Sequence, residues 1–189
     1  MALIDLSART IRAKIVYYGP GLGGKTTNLR TVHRLLGGAG PLVSIAGTAE
    51  RTLFFDSLPI DIEDVAGYRL RFDLYTVPGQ ETYERTRLAV LNGADGVVFV
   101  ADARAERLQE NQQSLAELRQ QVEHRGKLAE TFPLVLQYNK MDLPDAVPAV
   151  KLDRLLGAGP TPRYEAAAVA GSGVIETLRA ACKLVTASL

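Results

Sequence analysis

Residues 19–26 read GPGLGGKT, and the spacing of Gly19, Gly24, Lys25 and Thr26 is that of the phosphate-binding pattern G-x-x-x-x-G-K-[ST]. Further glycines stand at 21 and 23. Glycines let the backbone close tightly around a polyphosphate and turn its N–H groups inward, while a lysine adds a point charge for the terminal phosphates. The expected contacts run along the loop through Gly19, Gly21, Leu22, Gly23, Gly24, Lys25, Thr26 and Thr27, with the Thr26 hydroxyl offered to Mg²⁺. The alternative is a plain glycine-rich turn. The flanks favour phosphate binding: residues 11–18 (IRAKIVYY) read as a strand entering a sheet, and residues 26–36 carry Leu29, Val32 and Leu36 at helical spacing until GGAGP at 37–41 stops them. A helix that starts at the loop aims its positive dipole end at the phosphates.

Downstream, residues 42–51 show no periodicity and read as a loop. Residues 53–62 and 68–77 read as two strands. The second alternates Tyr68, Leu70, Phe72 and Leu74 with Arg69, Arg71, Asp73 and Tyr75. Their connection is far shorter than a parallel crossover, so the pair is an antiparallel hairpin. Residues 76–81 (TVPGQE) end that strand, and 81–91 resume as a helix. Further strands are expected at 96–102, 133–138 and 164–168, and helices at 108–122, 150–156 and 174–185. Strand and helix alternate, the signature of an α/β domain. Ligands of such sheets sit at the carboxyl ends of parallel strands, where 19–26, 76–81, 139–142 and 166–168 converge.

The 189 residues suit one domain, 1–189. With 22 basic and 21 acidic residues the net charge is +1, which argues against a nucleic-acid binder. One cysteine, Cys182, excludes an internal disulfide framework and suits the cytoplasm. No stretch has the length of a signal or membrane-spanning segment, position 2 is Ala, and the C-terminal ASL lacks a prenylation cysteine. No direct membrane anchor is expected.

The base is read from Asn139-Lys140-Met141-Asp142. A carboxylate accepts two N–H bonds, from N1 and the exocyclic amine of guanine, whereas adenine presents an acceptor at N1. Asp142 is therefore the expected discriminator, with Asn139 and the stem of Lys140 bracing the base and the glycine loop.

Together these segments resemble the small Ras-like GTPases over nearly the whole chain. Within that family, GPGLGGKTTNL at 19–29, ERTLFFD at 50–56, YTVPGQ at 75–80 and NK-DLPDA at 139–146 are most similar to the bacterial MglA-type polarity GTPases. The resemblance implies a P-loop NTPase three-layer fold, with a mostly parallel central sheet, one antiparallel strand and helices on both faces. It implies a switch that binds GTP or GDP with Mg²⁺ and hydrolyses GTP. Thr52 matches the switch-loop threonine that joins Thr26 on the metal, Gly79 the γ-phosphate sensor, Gln80 the residue that orients the attacking water, and Arg51 an arginine finger carried in the same chain. Ala167 and Ala168 match the base loop, where the Ala168 N–H is expected to meet the guanine oxygen. Implied partners are an MglB-type Roadblock-family regulator and polarity effectors, with recruitment to a cell pole.

Two features depart from the wider Ras-like pattern. Thr76 replaces the acid that holds Mg²⁺ through water, which is itself an MglA-type feature, and Ala167-Ala168-Val169 replaces Ser-Ala-Lys. Asp102 ends an apolar strand as a metal-holding acid does, although in Ras-like proteins an acid there is usually structural. A GTP-stabilised module with negligible hydrolysis is a second reading, against which Gln80 and Arg51 stand. A small-molecule kinase is a third. It needs an arginine lid, yet Arg104, Arg107, Arg119 and Arg125 are spaced as on a solvated helix face, and it leaves NKMD unexplained.

Overall fold

A computed structural model describes residues 2–37, 43–45, 55–65, 67–77, 84–124 and 131–189. The strands are β1 (Leu3–Asp5), β2 (Thr10–Tyr18), β3 (Val43–Ile45), β4 (Phe55–Val65), β5 (Tyr68–Thr76), β6 (Gly96–Asp102), β7 (Leu134–Asn139) and β8 (Arg163–Ala166). The helices are α1 (Lys25–Leu35), α2 (Glu84–Leu91), α3 (Leu108–Glu123), α4 (Ala149–Leu155) and α5 (Val174–Ala187). The strands form one sheet in the order β3-β4-β5-β2-β6-β7-β8, and β1 pairs with β2 beside that path. β5, β2, β6, β7 and β8 are mutually parallel, and β4 runs against β5 as the hairpin reading expects.

Sequence period decides which layer each side chain joins. On β2, Ile15 and Tyr17 pack with Leu29 and Val32 of α1 and with Val174, Leu178 and Val185 of α5. Val16 and Tyr18 face the other way, against Val90 of α2, Leu115 and Leu118 of α3, and Leu152 of α4. A strand covered on both faces needs no polar alternation, which is why β6 reads GVVFVAD and is buried at every position. Removing each large side chain of this kind from water stabilises the fold by about 1.5–3 kcal/mol. On β5 one face is covered less, so buried Leu70, Phe72 and Leu74 alternate with half-buried Arg71, Asp73 and Tyr75. Arg71 lies directly across from Asp61 of β4 and donates to it from Nε at 2.7 Å.

Two short strands were not expected. Val43–Ile45, inside the span read as a loop, pairs antiparallel with β4 at the sheet edge. Leu3–Asp5 folds back on residues 10–12 of β2 and also runs antiparallel. Three residues are too few to display a period, so pairing partners rather than pattern define them. Among the described residues, no helix is long and apolar enough to cross a membrane.

Candidate functional site

The glycine loop leaves β2 at Tyr18 and enters α1 at Lys25. Gly19 adopts φ 138° and Gly24 φ 102°. A β-carbon at Gly19 would fall on the Val100 carbonyl oxygen, and one at Gly24 on the Asn139 side-chain amide. Both conformation and space therefore exclude side chains at these positions. No side chain caps the start of α1, so its first-turn N–H groups open onto the loop. Lys25 is buried and donates from Nζ to the carbonyls of Gly19 at 2.9 Å and Pro20 at 2.6 Å. Burial, and then the positive charge of Arg87, push its pKa down to about 7. Thr26 and Thr27 are half-buried in the first turn of α1.

Asn139, at the end of β7, ties three segments together. Its Nδ2 donates to the Gly23 carbonyl at 2.9 Å, and its Oδ1 accepts the Ala168 N–H at 2.9 Å. From α1, the Thr31 hydroxyl donates to the Ala168 carbonyl at 2.7 Å. The phosphate loop and the base loop are thus held by one amide, as expected of Asn139. The Ala168 N–H expected to face a guanine oxygen already has an intrachain acceptor, which a base oxygen must share. The neighbouring Ala167 N–H donates to the Ser172 carbonyl at 3.0 Å. Asp142 stands exposed within the turn closed by Leu143 N–H on the Lys140 carbonyl at 3.1 Å.

Lys140 takes a left-handed conformation, φ 68°, and its ammonium goes to Asp102 at 2.6 Å rather than to the glycine loop. Bracing of the loop falls to Asn139. Asp102 is fully buried, and its carboxylate also accepts from Arg104 at Nη2 (2.9 Å), Nε (3.1 Å) and the backbone N–H (3.2 Å). Its backbone is fixed by Asn111 of α3, which accepts the Asp102 N–H at 2.9 Å and donates to its carbonyl at 2.7 Å. Two cations of this chain occupy the carboxylate, which makes it an anchor for the loop that carries Lys140. Burial alone would raise its pKa, but the hydrogen bonds from Arg104 and Lys140 outweigh that and leave it below the ordinary carboxylate value. This stabilisation is present above the unfolded carboxyl pKa and is lost as pH falls through the lower folded value. Removing one partner of a buried ion pair costs roughly 3–5 kcal/mol, less where the other can reach water. Lys140 and Arg104 are about a quarter exposed, at 24% and 26%. Asp102→Ala is therefore expected to lower the unfolding free energy by about 2–3 kcal/mol in urea titrations at pH 7. A loss below about 0.5 kcal/mol would contradict the anchoring role.

The arginines read as a solvated helix face are engaged instead. Arg104 holds Asp102, Arg107 donates from Nη2 to the Gly21 carbonyl at 2.9 Å, and Arg119 donates to the Gly157 carbonyl at 2.8 Å. Arg125 lies outside the described residues. Sequence reading favoured a structural role for Asp102 but missed its partners Arg104 and Lys140, and it missed the contact of Arg107 with the loop. An acid ending a buried strand signals a need for cationic partners, whereas nothing local signals the reach of Arg107.

Thr76, where an acid stands in the wider pattern, is buried at the end of β5. Arg51, Thr52, Gly79 and Gln80 lie outside the described residues. Cys182 is buried, and burial pushes its thiol up to about 12, so it is an uncharged core residue at neutral pH. A cleft of about 550 Å³ lined by Leu118, Val122, Phe132 and Leu184 opens by the amino end of β7, away from the convergent loops.

The sequence profile of the ADP-ribosylation factor family matches residues 3–180. The mutual gliding-motility protein MglA of Myxococcus xanthus (strain DK1622) is 46% identical over 191 residues, spanning 100% of this chain and 98% of that protein. ADP-ribosylation factor-like protein 6 of Caenorhabditis elegans is 32% identical over 92 residues, 47% of this chain and 45% of its own length.

Proposed function

The chain belongs to the ADP-ribosylation factor family, is a small Ras-like GTPase of MglA type and hydrolyses GTP, and from that premise we propose that it is a guanine-nucleotide switch for bacterial polarity or motility. The observation that carries the guanine-nucleotide reading is the Asn139 amide, joined at once to Gly23 of the phosphate loop and Ala168 of the base loop. A ligand with phosphates at one end and a base at the other would span both. The residues present fit it: glycines whose β-carbons would collide, a buried lysine, and an exposed carboxylate at Asp142.

In this reading the N–H groups of the loop and of the first turn of α1 donate to phosphate oxygens, and Lys25 meets them as a cation. Asp142 accepts the two guanine donors, and the Lys140 stem lies along the base while Asp102 fixes its ammonium. The hydroxyls of Thr26 and Thr52 would hold Mg²⁺, which would neutralise phosphate charge there. Gly79 senses the γ-phosphate, Gln80 orients the attacking water, and Arg51 stabilises charge on the transferring phosphoryl group. Partners read the two nucleotide states through the loops that carry Thr52 and Gly79. An MglB-type Roadblock-family protein is the proposed regulator, and the chain works in the cytoplasm, brought to a cell pole by its partners. The gliding motility in the name of the Myxococcus relative supports the biological part of this reading.

Competition of GTP, GDP and ATP for the chain with Mg²⁺ tests the assignment. GTP and GDP should displace a fluorescent GDP analogue, and ATP should not. Equal displacement by ATP would overturn the base reading. Adding a Roadblock-type regulator should accelerate single-turnover GTP hydrolysis, and no acceleration would remove that partner.

Lys25 adds a proton signature. In the free protein its depressed pKa of about 7 leaves it largely neutral at pH 8, while bound phosphates restore the ammonium. GDP binding should therefore take up close to one proton at pH 8 and little at pH 6. Affinity should fall by up to about tenfold per pH unit above 7. Calorimetry in buffers of different ionisation enthalpy reads this directly. Equal uptake at both pH values, or unchanged uptake in Lys25→Met, would assign the proton elsewhere.

A further inference from the structure

We propose that Arg107 is a positioning residue for the phosphate loop: its guanidinium holds the Gly21 carbonyl outward and thereby presents the Leu22 N–H to the nucleotide phosphates. The inference rests on the nucleotide-binding reading above and assigns a task within it to a side chain that comes from the turn preceding α3.

At the tip of the loop, Leu22 has φ 60° and is 84% exposed, so neither its backbone preference nor side-chain packing holds it in place. The Gly23 N–H closes a turn on the Pro20 carbonyl at 3.3 Å, and no hydrogen bond among the described residues uses the Leu22 N–H. The tip therefore needs an external tie, and Arg107 supplies one at 2.9 Å.

Peptide planarity converts that tie into an orientation. The described residues contain no cis peptide, and in a trans peptide the carbonyl of one residue and the N–H of the next point in opposite directions. With the Gly21 carbonyl drawn to Arg107, the Leu22 N–H is turned away from α3. Asn139 does the same one step on: holding the Gly23 carbonyl, it turns the Gly24 N–H away from the base loop. Two alternate carbonyls are thus gripped from outside, and two N–H groups are left as donors. The guanidinium is itself fixed by Glu110, one helical turn on, at 2.9 Å. Arg107 Nε and Glu110 Oε2 are buried without a hydrogen-bond partner among the described residues, so this ion pair and the Gly21 bond define the side chain's position.

The test uses the full chain as wild type, Arg107→Ala and Arg107→Lys, labelled with ¹⁵N and ¹³C. In nucleotide-free protein the Gly21 carbonyl carbon should shift upfield in Arg107→Ala and return partway in Arg107→Lys, which keeps one donor. Loaded with GDP and Mg²⁺, the Leu22 amide proton should move upfield in Arg107→Ala while the Gly24 amide stays. GDP dissociation should accelerate on the order of tenfold, as for loss of a hydrogen bond to a charged group, with partial rescue by lysine. A changed Gly21 carbonyl with dissociation within twofold of wild type would reduce Arg107 to a structural contact and overturn the proposal. Leu22 and Gly24 amides moving together would do the same, because the loop would then be loosening as a whole. Should Arg107→Ala fail to fold, Arg107→Lys carries both readouts. A wild-type chain that binds no GDP would sink the underlying reading, while the Gly21 carbonyl shift still reports whether the clamp exists.

Discussion

Asp142→Asn is expected to lower GTP affinity on the order of a thousandfold and to transfer preference to xanthosine triphosphate. A site built to pair with donors rejects a mismatched partner by roughly 10⁴–10⁵ when the unpaired groups are buried. Asp142 is exposed in this structure, and water access trims that factor. In the proposed site the carboxylate would accept from guanine N1 and the exocyclic amine together. An amide turns one of those acceptors into a donor, which opposes the amine and suits the xanthine oxygen in its place. Competition against a fluorescent GDP analogue measures both halves. Unchanged GTP affinity, or a loss with no gain for xanthosine triphosphate, would show that Asp142 does not face the base edge.

Replacing Arg51 with alanine should slow single-turnover GTP hydrolysis by roughly 10³, the lower range for a well-placed arginine finger. Binding should change far less, because a finger acts on charge that develops as the phosphoryl group transfers. Gln80→Ala tests the companion role by the same measurement. Rapid mixing of preloaded GTP complex with Mg²⁺ separates the chemical step from nucleotide exchange. A rate within threefold of wild type in both variants would show that the MglA-type roles do not transfer to these positions.

What the sequence makes legible is what local pattern encodes. The strand read at 96–102 is β6 at both ends, because an unbroken apolar run bounded by Gly and Asp has one sensible reading. The helix expected over 108–122 is α3, and it buries Leu115, Leu118 and Val122. The structure adds buried Asn111 to that stripe, where it fastens both backbone groups of Asp102. A polar residue on an apolar stripe is invisible to a hydrophobic count although its position fits. The phosphate loop and the Asn139 loop were legible as motifs, and the bond between them follows from parallel strands ending together. The pairs Asp102 with Lys140 and Arg107 with Gly21 span 38 and 86 positions, and no periodicity reports contacts made across the sheet. The three-residue strands were illegible for a different reason, since their definition lies in the partner strand.

The bonds of Asn139 also bear on how the chain is made. Gly23 lies 116 positions before it and Ala168 29 positions after. A growing chain carries its phosphate loop early and cannot fasten it until β7 and then the segment beyond β8 have been added. A ligand that binds only the finished site stabilises only finished chains, by an amount set by its concentration relative to its dissociation constant. Truncated products would therefore retain the recognisable GPGLGGKT segment and gain no protection from cellular GTP. A nucleotide that needs both loops would thus favour complete chains over truncated ones, with the Asn139 amide as the joint that only a complete chain can make.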